Sequence, residues 1–309
     1  MRIAIVGVGG VGGYFGGRLA QAGHEVHFIA RGAHLAAIRE HGLRVESFLG
    51  DFTIQPVLAT DDPAQVGPVD YVLVAVKSWQ LAEAAASMRP LLGPATAVVP
   101  LLNGVEASDI LAEVLGPDYA MDGICRILAS IGGPGLIKHS GIEPSLAFGE
   151  RDNRRTPRAE ALAAAFKAAG IRASVPPDIQ VATWEKFMLI CTWSGLGAIT
   201  RAPIGVWRTQ PGTRALAEAV LTEVVTVGQA RGVALSMERV ASIMSFIDEM
   251  PPAGTSSMQR DIMEGRPSEL EAQNGAIVRL GAAAAIPTPT NSFIYHCLLP
   301  QELAARHAL

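Results

Sequence analysis

The chain opens with residues suited to holding a phosphate. Gly7-Val8-Gly9-Gly10-Val11-Gly12 is a GxGxxG pattern. It follows a short apolar, β-branched run, Arg2–Val6, and opens a segment that reads as a helix over 10–22. Gly7 permits a tight turn, Gly9 lets the backbone approach a pyrophosphate, and Gly12 allows the helix to pack closely on the strand. The pyrophosphate then sits at the positive end of that helix. In a chain with 32 glycines the pattern alone is weak, but both flanks that it requires are present. The second strand ends Ile29-Ala30-Arg31-Gly32, with no carboxylate to take a ribose 2′-hydroxyl. The Arg31 guanidinium can instead grip a 2′-phosphate, so NADP(H) is the expected cofactor. Lys77, at the end of the apolar run Tyr71–Val76, could add a second positive charge. The plain alternatives are a surface arginine and a solvated lysine at a strand end.

Lys186 lies early in the strongly apolar stretch Thr183–Ile199, where a solvated lysine is out of place. A partly buried ammonium there could hydrogen-bond a carbonyl oxygen, polarise it and deliver a proton. Acids positioned in this way contribute roughly 10²–10⁴-fold in rate. Alternatively, the stem lies along the helix and the charged end reaches water. Asn103-Gly104 follows a buried strand at its C-terminal end, where open α/β sheets bind ligands, although the pair could equally be only a turn. Glu269 and Glu271 could simply favour the positive end of a helix. Ser257, in a Ser-Ser pair, could cap a helix.

These residues need elements to hold them. Strand-like runs at 2–6, 25–30, 71–76 and 97–102 alternate with helix-like segments at 10–22, 33–40, 80–92 and 107–115. A β-hairpin is expected over 43–56. Further strand-like pieces at 120–127, 135–139 and 145–149, a helix at 156–169 and a strand at 171–175 close the first half. This order predicts a doubly wound α/β sheet of Rossmann type, with the later pieces extending its edge. Pro176-Pro177 punctuates the chain. Beyond it, helices are expected over 179–199, 214–231, 236–249 and 268–285. The reading is therefore an NADP-binding Rossmann domain over 1–176 and an all-α domain over 177–309, with the crevice between them as the default active site. The apolar helices could close an internal core or a homodimer interface.

The composition excludes several classes. Of 309 residues, 49% are hydrophobic and 17% charged, ample for two packed cores, and the net charge is −4. No basic excess points to nucleic acid or to anionic lipid, and no apolar run reaches the length of a membrane span. The apolar opening is too rich in glycine for a signal segment. Cys125, Cys191 and Cys297 are widely separated and odd in number, which suggests no disulfide framework and a reduced, cytoplasmic compartment. The seven histidines offer no ligand pair, so no metal is expected.

At this point the chain resembles the ketopantoate reductase (2-dehydropantoate 2-reductase) family. The resemblance is carried by the Gly7–Gly12 turn with Arg31, Lys77-Ser78-Trp79-Gln80, Asn103-Gly104, Trp184-Glu185-Lys186, and Thr255-Ser256-Ser257-Met258 followed by Glu269. It covers nearly the whole chain, in the family's order. It implies NADPH-dependent reduction of a small-molecule 2-keto acid, the family's reaction being the formation of (R)-pantoate on the route to pantothenate and coenzyme A. By resemblance, Lys186 is the catalytic lysine and Asn103 lies near the nicotinamide ribose and substrate. Ser257 binds the substrate carboxylate, and Glu269 stands at the junction of cofactor and substrate, holding Lys186 or a ribose hydroxyl.

The chain departs from the family at the pocket. Asparagines expected one and two turns past the lysine are Ile190 and Ser194, and a further one is replaced at Ile204. An apolar pocket demands a substrate hydroxyl less strongly than a hydrogen-bonding one, so a less hydroxylated 2-keto acid is expected to be accepted. Arg201 could compensate by binding a carboxylate, or could serve only as a cation at a helix C-terminus. The leading reading is an NADPH-dependent 2-keto-acid reductase, with ketopantoate the first substrate to try; the alternatives are a related lysine-dependent dehydrogenase of another branched 2-keto or hydroxy acid and a non-catalytic NADP(H)-binding regulator, against which Lys186 and Glu269 argue.

Overall fold

A computed structural model describes residues Met1–His307. The chain divides into two compact units. One comprises Met1–Leu102 and Ala107–Ile179; the other comprises Asn103–Glu106 and Gln180–Leu309.

The first unit runs β1 (Arg2–Val6), α1 (Gly10–Gln21), β2 (Glu25–Ile29), α2 (Gly32–His41), β3 (Leu43–Ser47), β4 (Phe52–Ile54), β5 (Leu58–Thr60), β6 (Val69–Val74), α3 (Leu81–Ser87), β7 (Leu92–Pro100), α4 (Ala107–Leu115), β8 (Met121–Gly133), β9 (Leu136–Glu150), α5 (Pro157–Ala168) and β10 (Arg172–Ser174). Its main sheet is entirely parallel, in the order β5-β2-β1-β6-β7. Successive side chains of a strand face opposite ways, and here both faces are covered. Ile3 and Ile5 of β1 enter one core with Tyr14, Phe15 and Leu19 of α1, whereas Ala4 and Val6 enter another with Leu81, Ala85 and Leu111. Burial on both faces explains why β1 and β6 read as near-continuous apolar runs.

The pieces expected to extend this sheet's edge do otherwise. Residues 136–150 form one strand, β9, which pairs antiparallel with β8 from Met121↔Glu150 to Gly133↔Leu136. Together with β3, β4 and β10 they build a second sheet, β10-β9-β3-β4 with β8 on β9. A single parallel bridge, Val98↔Ala120, joins β7 to the start of β8. The β3–β4 hairpin forms as expected, but its Leu43–Ser47 edge pairs in parallel with β9, a partner that no local pattern specifies.

The second unit contains α6 (Ile179–Thr200), α7 (Ile204–Trp207), α8 (Pro211–Ala230), α9 (Glu238–Glu249), α10 (Ser257–Met263), α11 (Asn274–Ala283) and α12 (Pro289–Ala305). α6 carries buried Trp184, Phe187, Met188, Cys191, Leu196 and Ala198 around its axis, as a helix enclosed on many sides should. The expected helix over 268–285 starts only at Asn274, and residues 270–273 form a turn. α7 and α12 lie outside the expected helices, and of α10 the sequence offers only a capping serine as a sign. α10 has only seven residues, too short for a periodic signal, and α12 contains Pro300, which masks its pattern. Among the described residues, no helix is long and apolar enough to cross a membrane.

Candidate active site

In the first unit, the carboxyl ends of adjacent parallel strands place three of the expected residue groups. Gly7–Gly12 follows β1, Arg31 follows β2 and Lys77 follows β6. The strand order reverses between β1 and β6, and such a switch point is where doubly wound sheets bind ligands.

The glycine turn divides its work sharply. Gly7 has φ +93°, and a Cβ there would lie 2.8 Å from the Ala75 carbonyl. A Cβ at Gly12 would lie 2.1 Å from the Gly7 oxygen, so that position secures the turn against α1. A Cβ at Gly9 would meet nothing within 4 Å. Gly9 is also the N-cap of α1, and no side chain caps the helix. The first N–H groups of α1 have no intrahelical partners and begin at this open position. A pyrophosphate fits such a cradle, because it needs backbone donors and no side chain in the way. Val8 is buried and Val11 packs against the core, so only their backbones could serve a ligand. Gly10 backs onto β8, its Cβ position being 2.4 Å from Ala129.

Arg31 caps α2 and is largely exposed. Its Nη1 lies 3.6 Å from Glu83 Oε1. An exposed pair at that distance is worth about 0–1 kcal/mol, so a phosphate dianion can outcompete the carboxylate. The Lys77 ammonium lies 5.8 Å from the Trp79 ring centroid, and the Lys77 N–H donates to Gln80 Oε1 at 3.3 Å.

In the second unit, the structure brings Lys186, Asn103 and Glu269 together. Lys186 Nζ donates to Asn103 Oδ1 at 3.1 Å, and Asn103 Nδ2 donates to Glu269 Oε2 at 3.0 Å. Lys186 is only 9% exposed and Glu269 6%, so the lysine does not reach out to water along α6. Buried charges require partners, and one amide serves both: its acceptor end faces the ammonium and its donor end faces the carboxylate. That polarity fixes which way the amide points. Glu269 lies in the turn before α11 rather than in the helix, which corrects the expected placement at a helix start. Its carbonyl accepts from the Gln273 N–H at 3.0 Å.

The Asn103 loop is held from the helical side. Gly104 has φ +107°, and a Cβ there would lie 3.0 Å from the Ala272 oxygen. Glu106 pairs with Arg279 at 2.7 Å, and Val105 packs on the helical core. These supports were missed in the sequence; the glycine after Asn103 was the one available signal.

The remaining residues expected at the pocket are placed as follows. Ser256, not Ser257, caps α10, its side chain accepting from the Gln259 N–H at 3.1 Å. Ser257 is the first helical residue and is exposed, so its hydroxyl is not spent on the cap. One turn past Lys186, Ile190 is half-buried; Ser194 and Ile204 are buried. Arg201 is exposed and has φ +54°, ending α6 in a left-handed conformation. The bond from Ile204 N–H to Gly254 C=O, 3.0 Å, and that from Gly205 N–H to Pro252 C=O, 2.9 Å, pin the loop leading to Ser257 onto α7.

The parallel sheet with its glycine turn, followed by a helical unit with a buried lysine, is the architecture of dinucleotide-binding α/β oxidoreductases. Within that class the chain belongs to the ketopantoate reductase family. The family described as ketopantoate reductase PanE/ApbA matches residues 3–153, and its C-terminal counterpart matches residues 178–302. A 2-dehydropantoate 2-reductase of Mesorhizobium japonicum is 31% identical, over 94% of each chain. The crystal structure of a PanE/ApbA family ketopantoate reductase from Ralstonia eutropha JMP134 superposes with a TM-score of 0.90 at 36% identity, covering 99% of this chain and 100% of that one. A ternary structure of D-mandelate dehydrogenase with NADH and anilino(oxo)acetate superposes with a TM-score of 0.89 at 25% identity, covering 99% of each. The relatives are oxidoreductases, and the family is one of nicotinamide-dependent keto-acid reductases.

Proposed function

We propose that the protein reduces a 2-keto acid to a 2-hydroxy acid with NADPH, and that 2-dehydropantoate, giving (R)-pantoate for pantothenate biosynthesis, is the first substrate to test. The observation that carries this reading is the bond of the buried Lys186 ammonium to Asn103, whose amide is in turn bonded to Glu269. A protein that only binds or senses NADP(H) has no use for a buried ammonium and carboxylate held in this way.

When bound, the reduced nicotinamide supplies the hydride to the carbonyl carbon. The residues of the chain do the rest. Lys186 hydrogen-bonds the carbonyl oxygen and gives it a proton as negative charge develops there, and solvent later restores the proton. Asn103 keeps the ammonium aimed, and the Glu269 carboxylate offsets the cost of holding that cation away from water. Ser257 offers its exposed hydroxyl to the substrate carboxylate, with Arg201 as a further cation for it. Gly7–Gly12 would hold the pyrophosphate, and Arg31 with Lys77 the 2′-phosphate, which favours NADPH over NADH. A reducing, cytoplasmic compartment suits the unbridged cysteines Cys191 and Cys297.

A second reading within the same reaction is favoured by Ile190, half-buried one turn past Lys186, whereas Ile204 is wholly buried in the helical core. A pocket lined by isoleucine where the family has asparagine suits an acid lacking the distal hydroxyl. The similarity to D-mandelate dehydrogenase fits that alternative. The deciding experiment follows absorbance at 340 nm with NADPH and NADH side by side across a panel of 2-keto acids. Tight NADPH binding without oxidation by any of them would remove both enzyme readings.

A further inference from the structure

We infer that Trp193 is the far wall of the substrate pocket and selects 2-keto acids with an aryl or similarly bulky apolar side chain. This rests on the reductase reading above. An α-helix turns 100° and rises 1.5 Å per residue. Ile190 is therefore rotated about 40° from Lys186 and lies ~6 Å along α6, while Trp193 is rotated only about −20° and lies ~10 Å along it. From Leu189 to Gly197, the residues nearest in angle to Lys186 are Leu189, Ile190, Trp193 and Gly197, none of which is charged. A keto carbonyl bonded to Lys186 thus has an apolar track before it. A short branched side chain ends over Ile190, and a longer, flat one reaches the indole.

Trp193 is also tied to the loop that presents Ser257. Its Cζ2 lies 3.5 Å from the Cβ position of Gly254, which is itself 3.5 Å from Ile204 Cγ2. That loop is pinned to α7 through Ile204 and Gly205. The indole is half-buried, and its Nε1 is buried with no hydrogen-bond partner among the described residues. A buried tryptophan N–H ordinarily finds an acceptor. Here the position keeps the ring for its flat apolar surface, with a part of it still accessible, on the lysine-bearing face of the helix.

The test compares Trp193→Leu and Trp193→Phe with the parent enzyme. Specificity is measured as kcat/KM for phenylglyoxylate over kcat/KM for 2-oxobutanoate at saturating NADPH. Calorimetry gives a second readout, the ratio of Kd values for N-phenyl oxamate and N-methyl oxamate with the cofactor bound. Trp193→Leu is expected to lower the aryl preference in both ratios by about tenfold or more, and Trp193→Phe to retain most of it. Ratios unchanged in Trp193→Leu, or aryl and small acids weakened by the same factor, would overturn the assignment. A parent enzyme that reduces no 2-keto acid defeats the reductase reading instead, and the oxamate ratios still decide the role of Trp193.

Discussion

Lys186 Nζ donates to Asn103 Oδ1 at 3.1 Å across 83 residues of sequence. Asn103 carries the contact on to Glu269, 166 residues further along the chain from Asn103, at 3.0 Å. The amide lets a buried cation and a buried anion share a region through one group that satisfies both.

The first consequence is kinetic. Lys186→Ala should lower kcat by about 10²–10⁴-fold, the range for loss of a positioned acid. NADPH affinity should change far less, because the glycine turn proposed to hold the pyrophosphate belongs to the other unit. Stopped-flow turnover and a fluorescence titration of NADPH separate the two effects. A variant with parent activity would defeat the assigned role.

Glu269 allows charge to be separated from hydrogen bonding. Glu269→Ala orphans Asn103 Nδ2 in a part-buried setting and should cost roughly 1 kcal/mol of stability. Glu269→Gln can still accept from Asn103 and should cost less while lowering activity, since the ammonium loses its nearby anion. Urea unfolding of the two variants, set beside their kcat values, tests this order.

The glycine turn predicts two opposite failures. Gly12→Ala places a Cβ 2.1 Å from the Gly7 oxygen and should destabilise the first unit by about 1–3 kcal/mol through overpacking. Gly9→Ala meets no protein atom within 4 Å, so the melting temperature should hold while the added methyl blocks the cradle and NADPH binding falls. Calorimetric Tm and Kd for both variants provide the check; a stable Gly12→Ala or a tight-binding Gly9→Ala contradicts it.

The proposed preference for NADPH rests on Arg31. Charge-assisted hydrogen bonds are worth about 1.5–3 kcal/mol, so Arg31→Ala should raise KM for NADPH roughly 10–100-fold and leave KM for NADH nearly alone. Equal losses with both cofactors would instead indicate a damaged fold.

Two histidines, His34 half-buried and His139 buried, set an acid limit. Burial lowers the pKa of His34, with a backbone hydrogen bond to Val8 opposing, and lowers that of His139, with a bond to the Ile142 carbonyl opposing. His34 Nδ1 accepts from the Gly135 N–H at 3.0 Å, a bond that a protonated ring cannot make. The folded pKa values lie below the ordinary 6.5, so the unfolded chain takes up protons first as pH falls. Stability should therefore be full above about pH 6.5 and decline from there down to the folded values. Urea midpoints from pH 7.5 to 5.5 should show this slope, and His139→Gln should flatten part of it.

The sequence by itself marked the glycine turn and the arginine at the strand end, because a β–turn–α unit is local: Gly7, Gly9, Gly12 and Arg31 lie within a few consecutive elements. It also determined that an α/β half precedes an all-helical half, because hydrophobic period alone separates these. It marked Lys186 as misplaced in an apolar helix but left open whether the ammonium reached water. Only the tertiary structure decided that, by burying Lys186 and setting Asn103 between it and Glu269. It also decided that β8 and β9 build a second sheet, that Ser256 rather than Ser257 caps α10, and that Glu269 sits in a turn. Each of these depends on a partner distant in sequence, or on a one-residue choice between like neighbours. Periodicity carries no information about either, whereas packing and the pairing of buried charge decide both.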